Sequence, residues 1–382
     1  MNLTRRKMIY LVGGGAVLAA GGGFGYAATR SPQTAYLPWD RAGGYDDPRM
    51  RALSWALLAP NPHNRQPWLA DLSEEGVITL HADHDRMLPH TDPFNRQITI
   101  GLGCFLELLR MAAADDGYRT STALFPQGSS ALGLDQRPVA RVTFAADPAV
   151  GRDPLFAYVP MRRSNKEPFD VNRPVVPELL AELGAVVRNG ARFGGTVDAT
   201  EVTDWRALTH EALRIEVETP HTYQESVDLF RIGHHEVDAN PDGIDFTGPL
   251  FEALRLTGQF TREAASDTTN FAYKSGMDAI FANTDTATGH VWLVTDDNSR
   301  ATQIATGADW LRVNLAATAQ GLGFQPLSQA LQEFPEMAAI YAQVHNRLAP
   351  NGGTVQMLSR IGYGPTVGKS PRWPLESRIM NV

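Results

Sequence analysis

Met50, Leu53 and Leu57 recur at helical spacing and the run ends at Pro60, which predicts a helix over residues 50–58. The next residues, Ala59-Pro-Asn-Pro-His-Asn-Arg-Gln-Pro-Trp68, are not regular helix, because three prolines remove donors and push Ala59, Asn61 and Gln66 toward extended geometry. They read as an ordered loop entering a strand. Residues 77–82 and 140–144 have strand character, and between them Phe105, Leu108, Leu109 and Ala112 mark one face of a helix closing near Gly117. A second unit opens at Pro160 on the charged segment Met161-Arg-Arg-Ser-Asn-Lys-Glu-Pro-Phe169. It continues with a helix over about 176–187, a strand at 291–295, a helix at 307–321 and a late strand at 357–362. Residues 205–290 are polar and mostly helical, with breaks at Pro220, at 238–243 and at Gly248-Pro249; they fit neither rhythm and read as an insertion.

A shift of 204 positions pairs Gly103 with Gly307, Leu106 with Trp310, Leu109 with Val313, Ala112 and Ala113 with Ala316 and Ala317, and Gly117 with Gly321. Two small-residue helices therefore end alike. The pairing fits an internal duplication, and it also fits two ordinary amphipathic helices that share a spacing.

Composition narrows the chemistry. A net charge of -8 and a pI near 5.7, without a long basic run beyond the first ten residues, argue against nucleic acid as the main partner. The single Cys104, set in the apolar run 100–106, excludes a disulfide framework, a multi-cysteine zinc site and a cysteine-ligated iron–sulfur cluster. Redox chemistry in this chain requires a bound organic cofactor. At the N-terminus, Thr4-Arg5-Arg6-Lys7 precedes an uncharged, glycine-rich stretch over 8–28, with Ala27-Ala28 offering small residues for cleavage. Residues 1–30 thus read as a signal segment, the alternative being a membrane anchor. The Thr-Arg-Arg-x-Met-Ile pattern resembles a twin-arginine export signal, which implies the twin-arginine export machinery as a partner. It also implies an exported, periplasmic or otherwise extracytoplasmic protein, membrane-anchored where the segment is retained. Loss of residues 1–28 removes Arg5, Arg6 and Lys7 and takes the charge to about -11.

Several familiar fingerprints fail on spacing. Gly101-x-Gly103, Gly321-x-Gly323 and Gly362-x-Gly364 each lack the third glycine of a dinucleotide cradle, and Gly368-Lys-Ser370 lacks the first glycine of a P-loop, since position 363 is Tyr363. No Gly-x-Ser-x-Gly elbow occurs, and the histidine pairs at 81/84 and 234/235 lack zinc-site spacing. Two segments remain. In the proline-stiffened loop, Asn64 and Gln66 would project to one side of an extended chain, where amides suit the polar edge of a ring cofactor; alternatively they satisfy their own turn. Arg162-Arg163-Ser164 places fixed positive charge and a hydroxyl ahead of a helical unit, as a phosphate dianion requires, although two arginines are also a common solvated pair.

Together the two segments resemble the best-marked features of the FMN-dependent nitroreductases, an Arg-Arg-Ser start and an Ala-Pro-x-x-x-Asn-x-Gln-Pro-Trp loop. Gln320-Gly-Leu-Gly-Phe-Gln-Pro-Leu327 and Leu358-Ser-Arg-Ile-Gly-Tyr-Gly364 are similar to that family's late helix end and final sheet strand. The order is inverted here, because Arg-Arg-Ser follows the loop. The family works as a homodimer with flavin at the interface, so the resemblance implies an α+β nitroreductase-like fold of two fused pseudo-dimeric halves, each a central, mainly antiparallel sheet flanked by helices. The halves would span 45–150 and 155–375, as in the duplicated Acg-type branch, with residues 205–290 as a lid. One composite site should survive. By resemblance Arg162, Arg163 and Ser164 hold the FMN phosphate and ribityl end, and Pro60, Asn61, Pro62 and Asn64 line the ring. Gln325, Pro326 and Leu327 approach its face, and Arg372 is a further phosphate ligand. No catalytic acid or base and no metal is implied. The expected function is a flavin oxidoreductase acting on a nitroaromatic or quinone-like acceptor; the alternative is an FMN-binding protein that sequesters flavin with little turnover. Membrane contact is expected only through the signal segment.

Overall fold

The computed structural model describes residues 30–381, so the signal-segment expectation for 1–30 lies almost wholly outside the described residues. The first set of elements comprises helices α1 (Leu37–Arg41) and α2 (Pro48–Ala56), strands β1 (Trp68–Asp71) and β2 (Val77–Ala82), helix α3 (Arg96–Asp115), and strands β3 (Tyr118–Leu124) and β4 (Ala140–Ala146). Helix α4 (Pro177–Gly184) and strand β5 (Arg192–Thr196) open the second set. An intervening group follows: α5 (Ala199–Glu218), α6 (Pro220–Asp228), β6 (Phe230–Ile232), α7 (His234–Ala239), β7 (Ile244–Phe246), α8 (Pro249–Leu256), α9 (Arg262–Ser266) and α10 (Phe271–Thr284). The second set then resumes with β8 (Gly289–Thr295), α11 (Arg300–Ala319), β9 (Gly323–Pro326), α12 (Ala338–Leu348), β10 (Thr354–Gly362) and β11 (Ile379–Asn381).

The chain is α+β. One sheet has the order β11-β1-β2-β4-β3 and a second β5-β8-β10-β9, and within these two all pairs are antiparallel except β11, which joins β1 in parallel; a small third sheet pairs β6 with β7 in parallel. The last strand of the chain therefore completes the sheet built by the first set. Within β1-β2-β4-β3 and β5-β8-β10-β9 the long helix falls at the same place, after the second strand in sequence.

These two helices, α3 and α11, form the centre. Both start 204 positions apart and end 204 positions apart. Each closes on a left-handed glycine, Gly117 at φ 79° and Gly321 at φ 68°. They cross where neither has a side chain: a β-carbon on Gly103 would collide with the Ile304 carbonyl oxygen, and one on Gly307 with the Ile100 carbonyl oxygen. The collision partners are themselves related by the same shift, as in an isologous contact. Cys104 sits in this crossing with its thiol donating to the Gly307 carbonyl at 3.1 Å, and burial pushes the thiol up to about 12. It is an inert core residue.

The helix expected at 307–321 begins at Arg300, and β3 was not apparent from the sequence. Residues 197–288, between β5 and β8, build a small core of their own around Leu213, Val217, Tyr223, Val227, Phe230 and Ile232.

Candidate functional site

Helix α2 ends at Ala56, and the carbonyls of Leu57, Leu58 and Ala59 follow it at the negative end of the helix dipole. Guanidinium groups from far along the chain meet this end. Arg162 Nη2 donates to the Leu58 carbonyl at 3.1 Å, and Arg372 donates to Leu57 at 2.7 Å, Leu58 at 3.4 Å and Ala59 at 3.3 Å. Arg163 bonds the carbonyls of Pro160 and Arg162, and its guanidinium lies 4.5 Å from the Trp39 ring. Arg372 is 5.6 Å from the same ring.

The cluster holds uncompensated charge. Arg162 is 3% exposed and Arg372 2%. Burial pulls Arg162 down to about 10 with help from Arg163, and pulls Arg372 down to about 9 with help from Arg162 and Arg163. Among the described residues none of the three forms a salt bridge; Asp245 is the carboxylate whose charge opposes the depression of Arg372. Two buried nitrogens, Arg162 Nη1 and Arg163 Nε, have no hydrogen-bond partner. Buried donors left open among three cations are what a phosphate dianion satisfies. Ser164 stands exposed beside them.

The loop departs from the expected extended geometry. Residues 62–64 form a short 3-10 turn, and His63, Asn64 and Gln66 take left-handed φ of 48°, 51° and 53°. Asn64 and Gln66 therefore do not share one face of an extended chain. Their amides serve the protein. Asn64 donates to the Pro371 carbonyl at 3.0 Å and accepts from Arg372 at 2.6 Å, while Gln66 donates to the Pro241 carbonyl at 2.7 Å and accepts from Trp373 N at 2.9 Å. Asn61 accepts from Gln66 N at 2.7 Å and donates to the Ala59 carbonyl at 3.2 Å. Asn61 and Pro62 lie on α3 at Gly101, where a β-carbon would stand 3.2 Å from Asn61 Cβ and 3.3 Å from Pro62 Cδ. Pro60 is half-buried.

The late segment comes to the same place. Asn165 N donates to the Phe324 carbonyl at 2.9 Å, which stitches the Arg-Arg-Ser segment to β9. Gln325 accepts from Arg360 at 2.6 Å, and Leu327 is buried with Trp205, Leu208 and Ala212 of α5. Pro326 is half-buried at the end of β9. The structure thus gathers the loop with Arg162, Arg163 and Arg372, and sets Ser164, Gln325, Pro326 and Leu327 alongside.

Four residues beyond the sequence motifs belong to this neighbourhood. Trp39 covers the arginines; no local pattern singles it out. Lys166, two residues past the Arg-Arg-Ser motif, is exposed, and with burial and Arg65 it depresses His63 to about 4. Glu216 on α5 is buried, which pushes its carboxyl up to about 7; its Oε2 and the Oε1 of neighbouring Gln332 both lack partners.

Residues 197–288 are fastened over the loop. Asp242 meets Arg65 at 2.9 Å, Arg86 at 2.6 Å and Arg231 at 2.8 Å. Glu225 accepts from the backbone of His90 and Thr91, each at 2.9 Å, and His63 contacts Ser226 at 3.1 Å.

The loop after α4, residues 185–191, occupies the position in the second set that 57–67 occupies in the first. It is filled by the protein's own hydrogen bonds and ion pairs. Asp309, wholly buried, accepts from the backbone of Arg188 at 2.9 Å and Asn189 at 3.0 Å. Arg312 donates to the Val186 carbonyl at 2.8 Å and pairs with Glu107 at 3.1 Å and Asp153 at 2.5 Å.

In sequence the chain is similar to "Putative NAD(P)H nitroreductase acg" of Mycobacterium tuberculosis, 25% identical over 328 residues, covering 84% of this chain and 90% of the relative. A second Mycobacterium tuberculosis protein with the same descriptive name is 24% identical over 334 residues, covering 86% and 88%. The solved FMN-dependent nitroreductase NfnB from Mycobacterium smegmatis, in complex with NADPH, aligns over 56% of this chain and 92% of its own at 18% identity, with a TM-score of 0.33. No family model matches. Both alignments run over most of this chain and most of the relative.

Proposed function

We propose that the chain is a nitroreductase-family oxidoreductase holding one noncovalent FMN in a composite site, with the phosphate on Arg162 and Arg163 and with Arg372, whose nitrogens already donate to protein oxygens, adding its positive charge beside them. The observation that carries this is the cluster of three arginines that forms no salt bridge among the described residues, in which Arg162 Nη1 and Arg163 Nε are buried and, among those residues, open. Ser164 and Lys166 flank the phosphate position, Pro60, Asn61 and Pro62 border the ring, and Asn64 acts indirectly by orienting Arg372. When bound, FMN supplies hydride transfer to a nitroaromatic or quinone-like acceptor. The chain's own groups bind and orient it and keep water away.

Two fused halves, 45–150 and 155–375, are supported by the reciprocal Gly103/Gly307 crossing, the matched helix bounds and the matched strand orders. The second site would be dead, because at the counterpart loop the protein's own groups fill the place: Asp309 takes the loop's backbone N–H groups, and Arg110, Arg188 and Arg312 are already paired with Glu107 and Asp153. Residues 1–30, read as a twin-arginine signal, make the protein exported; this rests on sequence alone.

A second reading, flavin sequestration with little turnover, is favoured by the fastened segment 205–290 acting as a lid. Both readings require the same binding test. Acid precipitation should release one FMN per chain, and Arg162→Ala with Arg163→Ala should abolish retention, since charge-assisted contacts contribute about 1.5–3 kcal/mol each. Two FMN per chain, none after reconstitution, or equal affinity for FMN and riboflavin refutes the assignment.

A further inference from the structure

The first described residues are joined to both the lid and the arginine cluster. Asp238, on lid helix α7, accepts from three successive backbone N–H groups: Gln33 at 2.8 Å, Thr34 at 2.8 Å and Ala35 at 2.9 Å. It also accepts from the Thr34 hydroxyl at 3.0 Å. Successive N–H groups converging on one carboxylate form an anion nest. Burial opposes the charge, yet these bonds hold the Asp238 carboxyl below the usual carboxylate range.

The same short stretch is held from the other side. The Ala35 carbonyl accepts from Arg372 N at 2.8 Å, Trp39 Nε1 donates to the Ser370 carbonyl at 2.8 Å, and Asp40 pairs with Lys369 at 2.5 Å. The Trp39 indole, itself buried, then lies against Arg163 and Arg372. Every route from Asp238 to the arginine cluster through this stretch runs over fewer than ten residues of backbone.

We propose that residues 31–41 are a latch: Asp238 fastens the lid to this strap, Trp39 walls the arginine cluster, and exchange of the phosphate-bearing ligand requires the Asp238 clasp to open. The proposal rests on the reading of the cluster as the FMN phosphate site. Trp39 acts as a positioning residue, keeping two guanidinium planes in place and dry. Asp238 acts at a distance from the ligand, through the strap alone.

The test uses the full protein loaded with FMN. Asp238→Ala should speed FMN dissociation about tenfold, read from recovery of flavin fluorescence after dilution, because affinity changes at one site fall mainly on the off-rate. The preference for FMN over riboflavin should stay as in the parent, since no arginine is altered. Trp39→Leu should speed dissociation and also narrow that preference. Hydrogen exchange supplies a readout without flavin: Asp238→Ala, or the milder Asp238→Asn, should raise exchange both in residues 31–41 and in the lid helices. Unchanged FMN dissociation despite a freely exchanging strap overturns the latch, and so does exchange confined to the strap. If the parent protein binds no FMN, the function proposed above falls, while coupled exchange in strap and lid still decides the latch.

Discussion

Glu216 offers the clearest titration in the molecule. Burial raises its carboxyl from 4.5 to about 7, so between those pH values the folded chain keeps a proton that the unfolded chain has released. The neutral group's contribution is complete below about 4.5 and is lost as pH rises to about 7. Glu216→Gln should remove that slope and leave the variant more stable than the parent at pH 8, by at most about 3 kcal/mol. Urea midpoints from pH 4 to 8 measure it; parallel profiles for parent and variant would show that Glu216 is ionised throughout. No sequence pattern marks this residue, because its burial comes from α5 folding back over residues far along the chain. Arg162 and Arg163 were legible, since charge type and motif survive without knowledge of packing. The roles of Asn64 and Gln66 were not. Left-handed backbone at three positions turns both amides inward, and proline spacing alone says only that a helix is excluded.

At the scale of elements, α3 and α11 decide the architecture, and their contact depends on missing side chains. Gly103→Ala places a methyl group into the Ile304 carbonyl and should destabilise by about 1–3 kcal/mol or more, the range for overpacked cores. Gly276→Ala is the control: it lies in α10 with open space around it, and there alanine should stabilise by up to about 1 kcal/mol. Thermal unfolding of the two variants separates the effects, and equal melting temperatures would mean that the helices do not cross this closely. Amphipathic spacing found α2 and the middle of α3. It placed the start of α11 seven residues late, because that helix is enclosed on most sides and the buried residues of its first turn, Arg300 and Gln303, are polar. Strand β3 escaped because most of its residues face solvent and give no alternation. Strand β11 depends on a pairing with β1 some three hundred residues away, which no local window contains.

For the whole molecule the question is access. In the proposed lid Asp242, whose carboxylate is 4% exposed, is shared among Arg65, Arg86 and Arg231. Opening the proposed lid would separate this buried acid from Arg65 and Arg86 of the first set, while Arg231 moves with it. Removing one partner of such a group typically costs 3–5 kcal/mol, because charges are left buried and unpaired, so Asp242→Asn is a means of loosening the lid without deleting it. If the lid gates the ring, a bulky nicotinamide donor should be slow with the parent and faster with the variant. Dithionite, being small, should reduce both at nearly the same rate. We expect NADPH reduction of bound flavin to rise about tenfold or more in Asp242→Asn, the change that about 1.4 kcal/mol of barrier produces. Deletion of residues 197–288, which lie between β5 and β8, should act in the same direction if the remaining fold persists. Rapid NADPH oxidation coupled to a nitroaromatic in the parent would instead describe an open reductase. It would remove the case for sequestration, because a protein that turns over freely with its lid fastened has no gate there.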